Sequence, residues 1–179
     1  METIRELCTE YNITFILNEV ITGFRLSLGG IQKFFNIRPD LFIFAKALAS
    51  GYLISLITGK KEWMTLIEDA KVIHAGTMNS GNATVAAALA TIEVLEKELP
   101  YDSMFSLGKE LIQGIRDAAK ETGHKLLLQS PGPMFNISFS DVEKISDYRG
   151  TFTCNKVKLG KFIAGMHDEG VPIIGSGLW

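Results

Sequence analysis

The chain has 179 residues, of which 46% are hydrophobic and 21% charged, and its formal net charge at pH 7 is −2. This length fits one ordinary domain or part of a larger one, and the composition is typical of a soluble globular protein. The charge gives no electrostatic reason to expect nucleic acid or an acidic membrane as a partner, and no apolar stretch approaches the ~20 residues that span a bilayer.

Helices and short apolar strands alternate through the first hundred residues. Amphipathic or alanine-rich spacing predicts helices over 2–11, 31–35, 60–69 and 83–98. Apolar runs predict strands over 13–17, 41–45 and 52–58. The β-branched and aromatic run at 13–17 is typical of a strand buried on both faces. The alternation indicates an α/β sheet layer.

The rest of the chain has a different pattern. Long helices are predicted over 101–122 and 157–167, and short strands over 126–128 and 134–139. The last strand alternates in the manner of a half-exposed antiparallel sheet, so this part indicates a smaller α+β layer. Neither end of the chain has the character of a domain boundary, and we expect it to be a piece of something longer.

Cysteines and leader signals add little. Cys8 and Cys154 are too few for a disulfide framework and lack metal-ligand spacing, so no metal is expected. Cys8 falls on the predicted buried face of the first helix, as a small core residue. The first ten residues carry acids and no uninterrupted apolar stretch, so they do not form a secretory signal, and the cytoplasm is the expected compartment.

Lys46 directly follows the apolar run 41–45 and is the first candidate for chemistry. Its small neighbours would hold it close to buried surface, and desolvation there favours the neutral amine that attacks an aldehyde. Ligand sites in open α/β sheets lie at the carboxyl ends of strands, where this lysine is expected. The alternative is a lysine that reaches water from the end of a strand.

Residues 18–25, Asn-Glu-Val-Ile-Thr-Gly-Phe-Arg, follow the first predicted strand and form the second candidate. If a ring lies against the sheet, Val20 can pack on its face while Asn18 reaches a ring nitrogen. The alternative is an ordinary strand end with a polar turn.

Residues 74–82, His-Ala-Gly-Thr-Met-Asn-Ser-Gly-Asn, precede a predicted helix and form the third candidate. Glycines with hydroxyl and amide side chains near a helix start can hold a phosphate through backbone N–H groups and Thr77. The alternative is a capped loop, in which His74 is a structural histidine.

Together these segments resemble class III pyridoxal-phosphate-dependent aminotransferases, in particular the glutamate-1-semialdehyde 2,1-aminomutase branch. That family carries Asp-Glu-Val with Thr-Gly-Phe-Arg, then Leu-Gly-Gly-x-Gln, Pro-Asp before a lysine strand, and a Gly-Thr…Gly-Asn loop. These motifs fall, in order, on residues 18–25, 28–32, 39–40, 46 and 76–82. The tail also looks like the family's small domain, at residues 162–166 and 177–179.

The resemblance implies fold type I, an α/β fold in which a large domain with a mostly parallel sheet is followed by an α+β small domain. Residues 1–99 would be the second half of the large domain, which binds pyridoxal 5'-phosphate. Residues 100–179 would be part of the C-terminal small domain.

It also implies a site. Lys46 would form a Schiff base with the cofactor, Asn18 would face the ring nitrogen, and Val20 would lie against the ring. Thr77 would bind the cofactor phosphate from the neighbouring subunit of a homodimer. The implied reaction is amino-group transfer, or a 1,2-amino shift on an amino-aldehyde.

Asn18 departs from the family's pattern, which has an aspartate at this position. A carboxylate there keeps the ring nitrogen protonated, and the charged ring accepts electrons when the substrate loses its α-proton. Asparagine supplies no charge, so we expect weak turnover. An alternative is an inactive, truncated or degenerate relative that folds only by pairing. A nucleotide-binding module is disfavoured, because no Gly-x-Gly-x-x-Gly follows a strand.

Overall fold

The computed structural model describes residues 1–173, in two compact units assigned to Met1–Tyr101 and Asp102–Trp179. Each unit has its own sheet and its own hydrophobic core. The tail motif at 177–179 lies outside the described residues.

Helices and strands alternate through the first unit, which confirms the predicted α/β layer. Its helices are α1 Glu2–Glu10, α2 Gly30–Phe34, α3 Lys61–Glu68 and α4 Asn82–Glu98, and a short 3-10 helix covers Lys46–Ala49. Its strands are β1 Ile16–Glu19, β2 Leu41–Phe44 and β3 Leu56–Gly59.

The three strands form one mixed sheet in the order β1-β2-β3. β1 and β2 are parallel, with Glu19 opposite Phe44, and β3 pairs antiparallel with the other side of β2. Parallel neighbours end at the same edge of a sheet, so the segments that follow Glu19 and Phe44 leave it side by side.

The strand prediction over 13–17 was wrong in its bounds and in its burial. The strand runs from Ile16 to Glu19 and alternates, with Leu17 and Glu19 buried and Ile16 and Asn18 exposed. An apolar run of this composition fits one covered face as well as two, because both need β-branched and aromatic side chains. The alternation places Asn18 on the open face.

The prediction over 52–58 was also wrong in extent. β3 begins only at Leu56, and the residues before it lie outside the strand, with Leu53 95% exposed and Ile54 half-buried. The apolar residues at the start of this run therefore do not belong to the sheet.

Two small clusters of apolar side chains fill the first unit. The first consists of Phe15, Leu17 and Ile37, with the half-buried Cys8 packed against it. The second consists of Phe44, Leu48, Ala49 and Ala88. The second cluster joins the end of β2 and the 3-10 helix to α4, so packing fixes the residues on both sides of Lys46.

The second unit packs two helices and a two-stranded sheet around one core. Its elements are α5 Tyr101–Glu121, β4 Leu127–Gln129, β5 Asn136–Ser138 and α6 Lys156–Asp168, with a 3-10 helix at Arg149–Thr153. Its core consists of Ile112, Leu128, Phe135, Ile137 and Phe139. β4 and β5 pair antiparallel, as predicted.

The predicted half exposure of the strand at 134–139 was wrong. Ile137 and Ser138 are consecutive and both buried, and the Ser138 hydroxyl donates to Asn136 Oδ1 at 3.0 Å. A serine can enter the core here because its one polar group has a partner beside it.

No helix within residues 1–173 is long and apolar enough to cross a membrane.

Candidate active site

The first two candidate groups meet at one edge of the sheet. Asn18 pairs with Ile43 of β2, and Lys46 follows the end of that strand at Phe44 by two residues. The parallel register of β1 and β2 therefore places Asn18 and Lys46 at the carboxyl ends of neighbouring strands, where open α/β sheets bind ligands.

Lys46 has a left-handed backbone, with φ of 46°, at the first residue of the 3-10 helix. This conformation costs a residue other than glycine about 1–2 kcal/mol. Leu48 and Ala49 are 2% and 0% exposed and lie in the cluster with Ala88 of α4, which holds the helix in place. The fold thus stabilises a strained backbone at the candidate nucleophile.

The side chain of Lys46 is exposed in this chain. Buried residues lie on both sides of it, as the sequence predicted, but the desolvation expected of its amine was wrong for the residues described. The buried residues around it are Phe44, two residues before, and Leu48 and Ala49, two and three residues after, which pack in one cluster with Ala88 of α4.

Asn18 is exposed, and its side-chain oxygen takes part in one hydrogen bond. The backbone N–H of Val20 donates to Asn18 Oδ1 at 3.0 Å, which makes a turn at the end of β1. No described residue accepts a hydrogen bond from the side-chain Nδ2. Besides the oxygen that makes the turn, the amide presents its Nδ2 donor to the open face.

Glu19 was not predicted as a functional residue, yet it is 0% exposed. Its Oε2 accepts the N–H of Ile31 at 2.7 Å and the hydroxyl of Thr22 at 3.3 Å, and its Oε1 accepts the N–H of Gln32 at 3.3 Å. Its burial, though not its contacts, follows from the alternation along β1, which directs the residue after an outward-facing Asn18 inwards.

Asp40 is the second buried acid. It lies immediately before β2, at the amino end of this strand and so on the side of the sheet opposite Asn18 and Lys46. It accepts hydrogen bonds from Arg5 at 2.8 Å and from the N–H of Phe15 at 2.7 Å, and it also pairs with Lys60. Burial alone would raise the pKa of this carboxyl, but these three partners outweigh burial and hold it well below its usual range. Asp40 is a structural acid.

Thr77 and His74 lie in a loop whose residues 71–80 are all exposed. No hydrogen bond or ion pair of the described part of the chain joins Thr77 to Asn18, Val20 or Lys46. The structure brings three of the four candidate site residues to one edge and leaves Thr77 in an open loop before α4.

A groove of about 780 Å³ lies in the second unit and contains none of the four candidates. Its walls are mainly apolar side chains of α5 and α6, such as Ile115 and Phe162. The groove is therefore separate from the candidate residues at the strand ends.

Within residues 1–173 no group of three or more His, Cys, Asp and Glu side chains is placed to hold a metal ion.

Comparison with known sequences gives a match over nearly the whole chain. Residues 1–178 match the sequence profile of the family described as aminotransferase class-III. The glutamate-1-semialdehyde 2,1-aminomutase of Clostridium botulinum (strain Eklund 17B / Type B) is 33% identical over 175 residues, which are 97% of this chain and 41% of the relative. The enzyme of the same name from Legionella pneumophila (strain Lens) is 33% identical over 172 residues, 96% of this chain and 40% of the relative.

Solved structures have the same fold. An omega-transaminase from Sphaerobacter thermophilus superposes with a TM-score of 0.85 at 22% identity, covering 99% of this chain and 41% of that protein. A glutamate-1-semialdehyde-aminomutase from Pseudomonas aeruginosa gives 0.84 at 18% identity, covering 99% and 42%. These likenesses confirm the predicted fold class, an α/β part of a fold type I transferase. The chain spans about 41% of the length of the relatives it matches.

Proposed function

Since this chain belongs to the aminotransferase class-III family, we propose that it is a pyridoxal-phosphate-dependent aminotransferase or aminomutase, with Lys46 as the Schiff-base lysine. The observation that carries this proposal is the parallel register that sets Asn18 and Lys46 at the ends of neighbouring strands. The chain spans about 41% of its relatives, so the activity is proposed for the protein to which these residues belong.

The residues present suit this cofactor. When bound, pyridoxal phosphate withdraws electrons from the bonds at the substrate's α-carbon. Lys46 offers the amine for the covalent link, Asn18 offers a polar group to the ring nitrogen, and Val20 offers an apolar surface to the ring. A solved transaminase with PLP bound has the same fold, with a TM-score of 0.83 at 19% identity.

The hydrogen bonding of Asn18 supports one state of the ring nitrogen. Because Oδ1 already accepts from Val20, the side-chain group of Asn18 without a described partner is the Nδ2 donor. A donor pairs with an unprotonated ring nitrogen, whereas an aspartate would pair with a protonated one. We propose that this site holds the ring without the positive charge.

We propose that the substrate is an amino acid or an amino-aldehyde, and that the reaction is amino-group transfer or a 1,2-amino shift. The support is that relatives covering most of this chain carry the name glutamate-1-semialdehyde 2,1-aminomutase. We also propose residues 1–99 as the second half of the large domain and 100–179 as part of the small domain. The division of the chain after Tyr101 supports that boundary.

A homodimer completes the proposed site. The loop before α4 is exposed along residues 71–80, and it includes two large apolar side chains, Ile73 at 89% and Met78 at 85% exposure. Exposed apolar groups of this size favour a protein partner. We propose that Thr77 in this loop binds the cofactor phosphate of the partner subunit's site.

Absorbance tests the central proposal. The protein incubated with pyridoxal phosphate is expected to show a visible band that survives gel filtration and disappears on borohydride reduction. Lys46→Ala should lack the band, while Lys61→Ala, an exposed lysine at the start of α3, should retain it. A colourless protein, or a band that persists in Lys46→Ala, would contradict the proposal.

The competing proposal is a folded, dimerising relative without turnover. The exposed side chain of Lys46 is the observation in its favour, because nothing described removes water from the amine. The same experiment separates the two, since such a relative stays colourless with added cofactor.

A further inference from the structure

Glu19 is the most deeply buried ionisable side chain among the described residues of the first unit, and it has no ion pair there. None of the salt bridges within residues 1–173 involves it. A buried carboxylate without a cation costs free energy unless several donors satisfy it. Here two backbone N–H groups and one hydroxyl do so, all from the segment that follows β1.

Gly30 leaves room for this carboxylate because it has no side chain. Its backbone is left-handed, with φ of 68°, and a Cβ added there would lie 2.3 Å from Glu19 Oε2. Only glycine allows the start of α2 to come this close. The contact between Glu19 and the amides of Ile31 and Gln32 therefore fixes the far end of the loop.

The near end of the loop is fixed on the same residue. The N–H of Gly23 donates to the backbone oxygen of Glu19 at 2.9 Å. A Cβ on Gly23 would meet Phe44 Cδ1 at 2.4 Å, so the turn lies directly against the last residue of β2. Phe44 precedes Lys46 by two residues, and the turn thereby connects the two strand ends.

Glu19 also lies between the two residues that face the proposed cofactor. Asn18 and Val20 are its chain neighbours, joined by the hydrogen bond from Val20 N–H to Asn18 Oδ1. A rotation of the backbone at Glu19 would move both. A neutral residue could fill the same space, but a carboxylate accepts from three separated donors at once and so allows one orientation.

We propose that Glu19 is a positioning residue, whose buried carboxylate holds Asn18 and Val20 in register with Lys46. It touches neither cofactor nor substrate and acts through the loop 20–30. This proposal rests on the proposed function, because it assigns Glu19 to the same cofactor site.

The test is Glu19→Gln in the full-length protein, with Asp40→Asn as the matched control. Both changes remove the charge of a buried carboxylate in the same unit, but Asp40 lies at the opposite edge of the sheet. Two properties are measured for each variant: the dissociation constant for pyridoxal phosphate, and the wavelength of the visible band. Urea unfolding gives the stability of each.

Glu19→Gln should weaken cofactor binding about tenfold and shift the band, since a hydrogen bond to a charged group is lost. Asp40→Asn should lose comparable stability and keep the dissociation constant and band of the wild type. Equal dissociation constants for the two variants would overturn the positioning role. A colourless wild-type protein would instead overturn the proposed function.

If the Glu19→Gln protein fails to fold, a milder variant and a measurement that needs no cofactor still test the proposal. Thr22→Val removes one of the three donors to Glu19 and should give a smaller weakening in the same direction. Hydrogen exchange at the amides of Ile31 and Gln32 should speed up in Thr22→Val more than at other protected amides of the first unit, whereas in Asp40→Asn these two amides should speed up no more than the others. Faster exchange with unchanged cofactor binding would show that the loop contact is structural only, and would overturn the proposal.

Discussion

At the scale of single residues, Asn18 would give the proposed cofactor site a residue of the right shape without the negative charge of an aspartate. In the proposed site the amide takes the place of the family's carboxylate, and it makes a turn with Val20. What it lacks is a negative charge to stabilise a protonated ring nitrogen. Each pKa unit of the ring nitrogen corresponds to about 1.4 kcal/mol, so the loss of a few units is enough to slow proton abstraction by orders of magnitude.

We expect Asn18→Asp to raise the single-turnover rate with an amino donor by at least about tenfold, because the charged ring is the better electron acceptor. The measurement is rapid-mixing absorbance with the cofactor-loaded protein. Asn12→Asp, in an exposed turn after α1, adds the same charge away from the strand ends and should leave the rate unchanged. Equal rates for Asn18→Asp and wild type would contradict the role given to position 18.

At the scale of elements, Asp40 joins pieces of structure that are far apart in the chain. Arg5 belongs to α1, Phe15 precedes β1, and Lys60 precedes α3. These partners surround the start of β2, so the carboxylate anchors the edge of the sheet opposite the candidate site. Folding depends on the charged form of Asp40, which makes this junction sensitive to pH.

Asp40→Asn is expected to lower the free energy of unfolding by about 2 kcal/mol at pH 7. The folded pKa of Asp40 lies below its unfolded value of about 3.9, so the stabilisation is complete above that value and is lost as the pH falls towards the folded pKa. Urea unfolding should therefore show a smaller gap between wild type and variant at pH 3.5 than at pH 7.

The control for this prediction is Asp141→Asn, which removes an exposed carboxylate paired with Lys125. Exposed pairs contribute little, so this change should alter the free energy of unfolding by less than about 0.5 kcal/mol at either pH. A gap for Asp40→Asn that stays the same from pH 7 to pH 3.5 would contradict the shifted pKa.

Sequence patterns predicted the order of elements well and their edges less well. The run before Lys46 gave a strand that ends within one residue of its predicted end, because Pro39 and Asp40 mark its start and the polar Lys46 its finish. The run at 13–17 was shifted, since its apolar residues continue into the polar Asn18 and Glu19, and only hydrogen bonds to β2 show that these two belong to the strand.

Candidate site residues could be found in the sequence where motifs mark them, and not where tertiary contacts define their role. Lys46 and Asn18 stood out as polar residues at strand ends. Glu19 did not, because its role depends on the close approach of Gly30 and on the N–H of Ile31, which lies twelve residues further along the chain. No pattern of local spacing connects positions that far apart, although they are adjacent in space.

At the scale of the whole molecule, the described residues leave one edge and one face of the first sheet uncovered. β1 pairs with β2 on one side only among the described residues, and its face bearing Ile16 and Asn18 is exposed. Edge strands and apolar faces of this kind favour association with further protein. The loop at 71–80 adds a second exposed region, which the proposal assigns to a dimer interface.

Mixing two inactive variants tests that assignment. Lys46→Ala lacks the linking lysine and Thr77→Ala lacks the phosphate contact, so each homodimer should bind the cofactor poorly. If Thr77 acts across the interface, reassembly of an equal mixture restores about a quarter of the sites, because one site of each hybrid dimer is intact. Cofactor titration followed by absorbance counts these sites.

The control is a mixture of Lys46→Ala with a double variant that carries both changes. No pairing of those chains contains an intact site, so no tight binding should return. Absence of recovery in the first mixture would place Thr77 in the same subunit as Lys46, or outside the site.

The buried carboxylate next to Asn18 has an evolutionary consequence. Because Glu19 carries the contacts that hold the loop, the outward-facing side chain at position 18 has one structural contact, the hydrogen bond from Val20 N–H. Asparagine and aspartate codons differ by a single base, and either residue fits the same turn. The electronic character of the site can therefore drift, revert or be engineered at one position while the scaffold stays constant.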